Sequence, residues 1–204
     1  MKIEAQQVGQ LMTNCYIVWD ENTKNAAVID PGDDGAFIAQ SLGKKGLTLQ
    51  YILLTHGHFD HIGGVDELLE TCGSSPKVYI SEKDMALPSA FGENVHLDPS
   101  VVTFWRHGDV ITMDSISFKV MSTPGHTPGS VCLICGDVIF SGDTLFQGSC
   151  GRTDFPGGSW KEMAASLKKL YNLPGDYTVF SGHTNSTTLD WERKTNMFMQ
   201  SALS

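Results

Sequence analysis

The chain has 204 residues, enough for one well-buried domain and short for two, and its 41% apolar and 18% charged composition is globular, not disordered. Acidic residues outnumber basic ones 23 to 14, giving a formal charge of −9 with no Lys/Arg cluster, which argues against a nucleic-acid partner. No segment approaches the ~20 apolar residues of a membrane span, residues 1–7 lack the apolar run of a secretion signal, and five cysteines in no spaced framework point to reduced thiols in a cytoplasm.

Taken in chain order, strand-like and helix-like segments intermingle. Strands are predicted at 15–19, 26–29, 51–54, 78–81, 116–121, 131–135, 138–140 and 177–180. All are short, β-branched or aromatic runs bounded by Gly, Pro, Asp or Asn. Ile62, Val65, Leu68, Leu69 and Cys72 fall at helical spacing after the third of these. A loop is expected over 87–100, which holds two prolines. Trp160, Met163, Ala164, Leu167, Leu170 and Tyr171 mark a second helix, with Ser159 as cap, Glu162 placed to complete a capping box, and Pro174-Gly175 beyond its end. A terminal helix is predicted over 188–199. The pattern predicts one layered α/β domain spanning 1–204.

The chemistry is concentrated in Thr55-His56-Gly57-His58-Phe59-Asp60-His61, between a strand and a helix. Three imidazoles and a carboxylate within six residues is a metal-ligand density, because both donor types bind borderline divalent ions. Extended spacing puts His56 and His58 on one side of the chain. Asp60 and His61 follow as the chain turns into the helix, where they can face a second ion. Further donors close other strand-like runs: His126 in Thr123-Pro124-Gly125-His126-Thr127-Pro128-Gly129-Ser130, Asp143 in Ser141-Gly142-Asp143, and His183 in Gly182-His183. Five of the seven histidines thus stand at strand–loop junctions, where a rigid sheet presents functional groups. His96 and His107 fall outside these motifs and read as ordinary surface or turn residues.

H-x-H-x-D-H followed by T-P-G-H-T-P-G-S, S-G-D and G-H resembles the metallo-β-lactamase superfamily over residues 15–183. Val28-Ile29-Asp30-Pro31-Gly32 is similar to the family's early strand and turn. The resemblance implies a four-layer αββα sandwich with two divalent metal ions at one edge, zinc by default, with iron or manganese possible. It assigns His56, His58 and His126 to one metal, Asp60, His61 and His183 to the other, and Asp143 to both. An Asp at the shared position is closer to the glyoxalase II branch than to lactamases with a Cys in the second site. The segment 151–159 resembles short glyoxalase-II-like hydrolases.

Two cations ~3.5–4 Å apart would bring a bridging water toward a pKa of ~7, giving hydroxide for attack on a carbonyl, with Asp60 orienting it. A thiolate, pKa ~8.5, leaves without a proton, so the expected substrate is a small thioester of the hydroxyacyl-glutathione type. Arg152 is the candidate substrate-binding residue, through a bidentate pair with a carboxylate. Phe59, Phe146 and Phe155 are candidates for pocket walls or for core. Asp30 either orients a ligand imidazole or closes a turn. With Cys150 in front of Gly151-Arg152, a mononuclear iron persulfide dioxygenase is the alternative from another reaction class; a lactone or ester hydrolase is the other. Cys132-x-x-Cys135 lies in an apolar strand and reads as buried core. The expected partner is a small molecule, neither nucleic acid nor membrane, and the sequence sets no oligomeric state.

Overall fold

Strands that read as unbroken apolar runs are expected to be covered on both faces, and the fold bears this out in its central strands. The computed structural model describes residues 1–72, 76–85, 87 and 97–203. An antiparallel pair, β1 (Lys2–Val8) and β2 (Thr13–Trp19), is extended by β3 (Asn25–Ile29). Helix α1 (Gly35–Lys44) then crosses over to β4 (Thr48–Leu53), which joins β3 in parallel. Two short helices, α2 (Phe59–Ile62) and α3 (Val65–Cys72), precede β5 (Lys77–Ile80) and β6 (Val102–Phe104), and these complete a six-stranded sheet in sequence order.

A second six-stranded sheet begins with β7 (Val110–Met113), β8 (Ile116–Ser122), β9 (Val131–Cys135) and β10 (Val138–Gly142). A small hairpin, β11 (Leu145–Phe146) and β12 (Ser149–Cys150), and α4 (Trp160–Tyr171) lead to β13 (Thr178–Ser181) and β14 (Thr187–Thr188). Helices α5 (Leu189–Thr195) and α6 (Met197–Ser201) end the described chain. The sheet order is β14-β13-β10-β9-β8-β7.

Three apolar clusters define four layers. Cys15, Ile17, Val28 and Ile52 pack against Ile38, Leu42, Val65 and Leu68 of α1 and α3. The alternate residues Tyr16, Val18, Ile29 and Leu53 face Phe118, Val120, Leu133 and Phe140 of the second sheet. Cys132, Ile139 and Val179 face Met163, Leu167, Leu170 and Met199 on the outer helices. The period-two alternation of each strand splits its apolar run between two interfaces. The result is a helix–sheet–sheet–helix sandwich of the α/β class. Cys132 and Cys135 fall in different clusters, on opposite faces of β9, so they form no chelating pair.

Several elements differ from the sequence reading. β1 was not expected, because Lys2, Glu4, Gln6 and Gln7 break its apolar pattern; as an edge strand it pairs only with β2 and leaves much of itself in water. Helix α1 was hidden by its Gly35 and Gly43. The helix expected near Ile62 is split into α2 and α3 at Gly63-Gly64. Ser159 does cap α4, its Oγ accepting from Glu162 N at 3.4 Å, but its own amide donates to Gly125 O at 2.8 Å, so no capping box closes. The terminal helix is broken at Asn196, whose Oδ1 accepts from the amides of Phe198 and Met199 and starts α6. Most of the loop expected over 87–100, with His96, lies outside the described residues. His107 sits in an exposed turn, its Nδ1 accepting from Ser122 N.

Candidate metal centre

Strand direction decides where the donors land. β8 and β10 are both antiparallel to β9, and β13 is parallel to β10, so these three strands end at one edge of the second sheet. The loop after β4 meets that edge, with Val131 N donating to Thr55 O at 2.9 Å. His126, Asp143 and His183 follow β8, β10 and β13, and residues 56–61 follow β4. All seven predicted donors fall into three groups whose ligand atoms lie within 4.8 Å of one another: His56, His58, His126; His56, His61, Asp143; and Asp60, His61, His183, with His56 and His61 each in two of them.

The first trio is held by neutral bonds from behind. His126 Nδ1 faces the carbonyl oxygen of Arg152 at 2.7 Å, which can only accept, so Nδ1 carries the proton and Nε2 offers a lone pair. Thr55 Oγ1 gives its proton to Asp30 Oδ2 (2.7 Å), so it can accept from His56 Nδ1 at 3.2 Å and leave His56 Nε2 unprotonated. His58 Nδ1 lies 3.1 Å from His56 Nε2 and 2.9 Å from His126 Nε2. Burial pushes the pKa of His56 well below the usual imidazole value, and the rings of His61, His58 and His126 act in the same direction. Burial, then His126 and His61, bring His58 down to about 4. Three imidazoles therefore converge their nitrogens on one point.

The second trio is set among carboxylates. His61 Nδ1 meets Asp30 Oδ2 at 3.0 Å, and Asp30 Oδ1 accepts from Thr55 N at 2.7 Å. Asp30 therefore orients the His61 imidazole, from a residue with φ 53° that also turns the chain. His183 Nε2 lies 3.2 Å from Asp60 Oδ2. Burial opposes charge on His61, yet Asp143 and Asp30 outweigh it and hold its pKa well above the ordinary value. Burial likewise opposes charge on Asp60, but His183 and His61 carry its pKa below the carboxylate range.

Asp143 faces both groups: Oδ1 is 3.4 Å from His61 Nε2, and Oδ2 is 3.5 Å from His126 Nε2 and 3.6 Å from His183 Nε2. His61 Nε2 and Asp143 Oδ1 are buried, and neither has a hydrogen-bond partner among the described residues. Two orphaned acceptor-type atoms beside three converging lone pairs are costly unless a cation sits among them. The donor set, imidazole and carboxylate without thiolate, suits zinc, iron or manganese. Gly182 makes the close approach possible: a Cβ there would lie 2.3 Å from Asp143 Oδ1 and 2.6 Å from His61 Cε1.

Around the centre, a cleft of about 330 Å³ is lined by Leu11, Asp33, Phe59 and Asp60. Phe155 meets the His58 ring edge-on at 5.9 Å, and Phe146 meets His183 at 6.1 Å, so all three phenylalanines border the site. Arg152 stacks on Phe155 at 3.8 Å, but its guanidinium is engaged by Asp154 through Nε and Nη2, both at 2.7 Å. Cys150 packs against the outer-helix cluster.

The sequence reading missed Thr13, Asn14 and Tyr16. Thr13 Oγ1 donates to Asp60 Oδ2 at 3.1 Å, Asn14 Nδ2 donates to the carbonyls of Ser181 and Thr184, and Tyr16 Oη donates to Ser181 O at 2.6 Å. The start of β2 thereby fastens the His183 loop of the opposite sheet. The one available signal was a polar Thr-Asn pair opening an apolar strand.

Comparison with known proteins follows the same lines. The family described as metallo-beta-lactamase superfamily matches residues 8–183. The chain is 36% identical to the hydroxyacylglutathione hydrolase GloC of Haemophilus influenzae, over 98% of this chain and 99% of the relative. Among solved structures it resembles the BLEG-1 B3 metallo-beta-lactamase, with a TM-score of 0.88 and 35% identity over 97% of this chain and 99% of that one. It also resembles TTHA1623 in a di-iron-bound form, with a TM-score of 0.80 and 35% identity over 96% and 99%.

Proposed function

Since the chain belongs to the metallo-beta-lactamase superfamily, we propose that it is a metal-dependent hydrolase that cleaves a small acyl thioester of the hydroxyacyl-glutathione type. The observation that carries this reading is Asp143, whose two oxygens face both donor trios. His56, His58 and His126 hold one divalent cation, Asp60, His61 and His183 the other, and Asp143 both. Cations held there supply Lewis acidity toward a carbonyl oxygen and acidify water at neutral pH. Zinc is the default for such imidazole-rich donors, and the di-iron form of TTHA1623 makes iron the first alternative to test.

The chain's own residues orient the reactants. Asp60 lines the cleft, and Thr13 and His183 fix its Oδ2, so it is placed to aim the attacking water and take its proton. Phe59, Phe146 and Phe155 narrow the approach and exclude bulk water. Arg152 binds a carboxylate of the thiol carrier by exchanging Asp154 for it, since the exposed pair is worth little on its own. A thiolate leaving group needs no general acid, and none beyond these residues is required. A domain spanning 1–204 that works in the cytoplasm fits five free cysteines and the lack, among the described residues, of a helix long and apolar enough to cross a membrane.

A β-lactam is the second substrate class to weigh, because of the likeness to BLEG-1. The deciding experiment loads the protein with zinc or iron, counts metal per chain, and measures turnover of S-lactoylglutathione, a lactone, a β-lactam and glutathione persulfide with oxygen. Thioester turnover well above the others is expected. A metal-loaded protein that hydrolyses no thioester overturns the proposal, and oxygen consumption with the persulfide replaces it with the dioxygenase.

A further inference from the structure

Asp84 ends a 3-10 turn (Glu82–Asp84) after β5, in a Ser-Glu-Lys-Asp stretch that reads as solvated surface, yet it is only 3% exposed. Its carboxylate joins the two loops that supply the three-imidazole trio, one from each sheet. Oδ2 accepts from the amide of Gly57, between His56 and His58, at 3.1 Å, and from Thr127 Oγ1, next to His126, at 2.6 Å. Oδ1 accepts from the amide of Gly129 at 2.6 Å. Thr127 Oγ1 lies 2.7 Å from Ser130 Oγ, which also accepts from the Thr127 amide at 3.1 Å, so the His126 loop is cross-braced where Asp84 grips it.

The space Asp84 occupies accounts for two glycines of the ligand motifs. A Cβ on Gly57 would come within 2.4 Å of the Asp84 carbonyl oxygen, and one on Gly129 within 2.4 Å of Asp84 Oδ1. Among the described residues three donors and no acceptor meet this carboxylate, and they act against the burial that raises its pKa. Among the described residues no Lys or Arg pairs with it.

We infer that Asp84 is the positioning residue of the first trio: by tying Gly57 to Thr127 and Gly129 it fixes the separation of the His56–His58 segment from His126. The inference rests on the metal reading of the site. Groups that hold ligands from behind are worth 10–100-fold in metal affinity, and here one side chain sets the mutual position of all three ligands.

The test compares wild type with Asp84→Asn, Thr127→Val and Leu42→Ala. Asp84→Asn keeps the size but turns an NH₂ toward donors that need an acceptor. Thr127→Val deletes one of the three bonds and covers the case in which Asp84→Asn does not fold. Leu42→Ala, on the buried face of α1, is a destabilised control in the outer core cluster that contains none of the trio's residues. Zinc affinity is read by competition with a chromophoric chelator, and the cobalt-substituted proteins by their visible absorption bands. The expected result is one of two cations bound about 10–100-fold more weakly in Asp84→Asn, with the cobalt bands of one site altered and those of the other kept. Thr127→Val should shift the same site by less, and Leu42→Ala neither. Wild-type affinities and bands in both loop variants overturn the role of Asp84, as does equal weakening in Leu42→Ala. A wild type that binds no cation overturns the metal reading itself, and the inference with it.

Discussion

His56, His58 and His126 form a trio of imidazoles alone, whereas Asp60, His61 and His183 mix imidazole with carboxylate and have Asp30 behind them. Burial and ring–ring repulsion keep protons off His56 and His58. In the second, carboxylates outweigh burial and draw positive charge onto His61 and His183. The supports differ in the same way. The first trio is held by a carbonyl, a hydroxyl and the Asp84 braces, and the second by direct contact with negative charge. The first is thus a problem of geometry and the second a problem of charge balance, and the carboxylates that favour a proton on His61 favour a cation in its place.

The largest test of that contrast is Asp60→Asn, which removes a charge from the second trio and the group proposed to handle the water's proton. Turnover should fall by about 10²–10⁴-fold while circular dichroism and Tm stay near wild type; unaltered kcat would end the role given to Asp60. Next comes His61→Ala in chelator-treated protein. It leaves Asp30 and Asp143 buried without their shared partner, and urea unfolding should show a loss of about 3–5 kcal/mol. His58→Ala, in the first trio, should cost clearly less, and equal losses would erase the distinction.

Removing metal should lower Tm for the same reason that the orphaned atoms are costly. A ligand at about 1,000 times its Kd contributes ~4 kcal/mol, and differential scanning fluorimetry with and without EDTA reads the shift. Asp30→Asn should weaken one cation by about 10–100-fold at the second trio, the counterpart of the effect expected at Asp84. The smallest effect belongs to Arg152→Ala, outside both trios. KM for a carboxylate-bearing thioester should rise about tenfold or more, as for the loss of a ~1.5–3 kcal/mol charge-assisted bond, with kcat and metal content unchanged. A fall in metal content would mean that the change displaces the backbone carbonyl of residue 152, which faces His126 Nδ1.

Much of the centre was legible because its densest part is local. H-x-H-x-D-H needs no tertiary contact to be seen, and its division between two donor trios follows from extended spacing giving way to helix. His126, Asp143 and His183 were legible one step later, as polar residues closing apolar strands. Thr13, Asn14 and Asp84 were not. Each acts on a residue dozens of positions away, and an Asp in Ser-Glu-Lys-Asp carries no mark of burial. The same holds for β1, which is a strand because β2 lies beside it, and for α1, whose glycines cost helix propensity that packing of Ile38 and Leu42 recovers.

By itself the sequence determined donor chemistry, the spacing within residues 56–61, and which runs must be buried, since these depend on neighbours along the chain. Tertiary structure alone decided which donors meet, which nitrogen of His56, His61 and His126 faces inward, and that a buried aspartate ties the two sheets' loops together. Those outcomes depend on strand order and direction, and contacts between residues far apart in the chain have no period for a sequence to display.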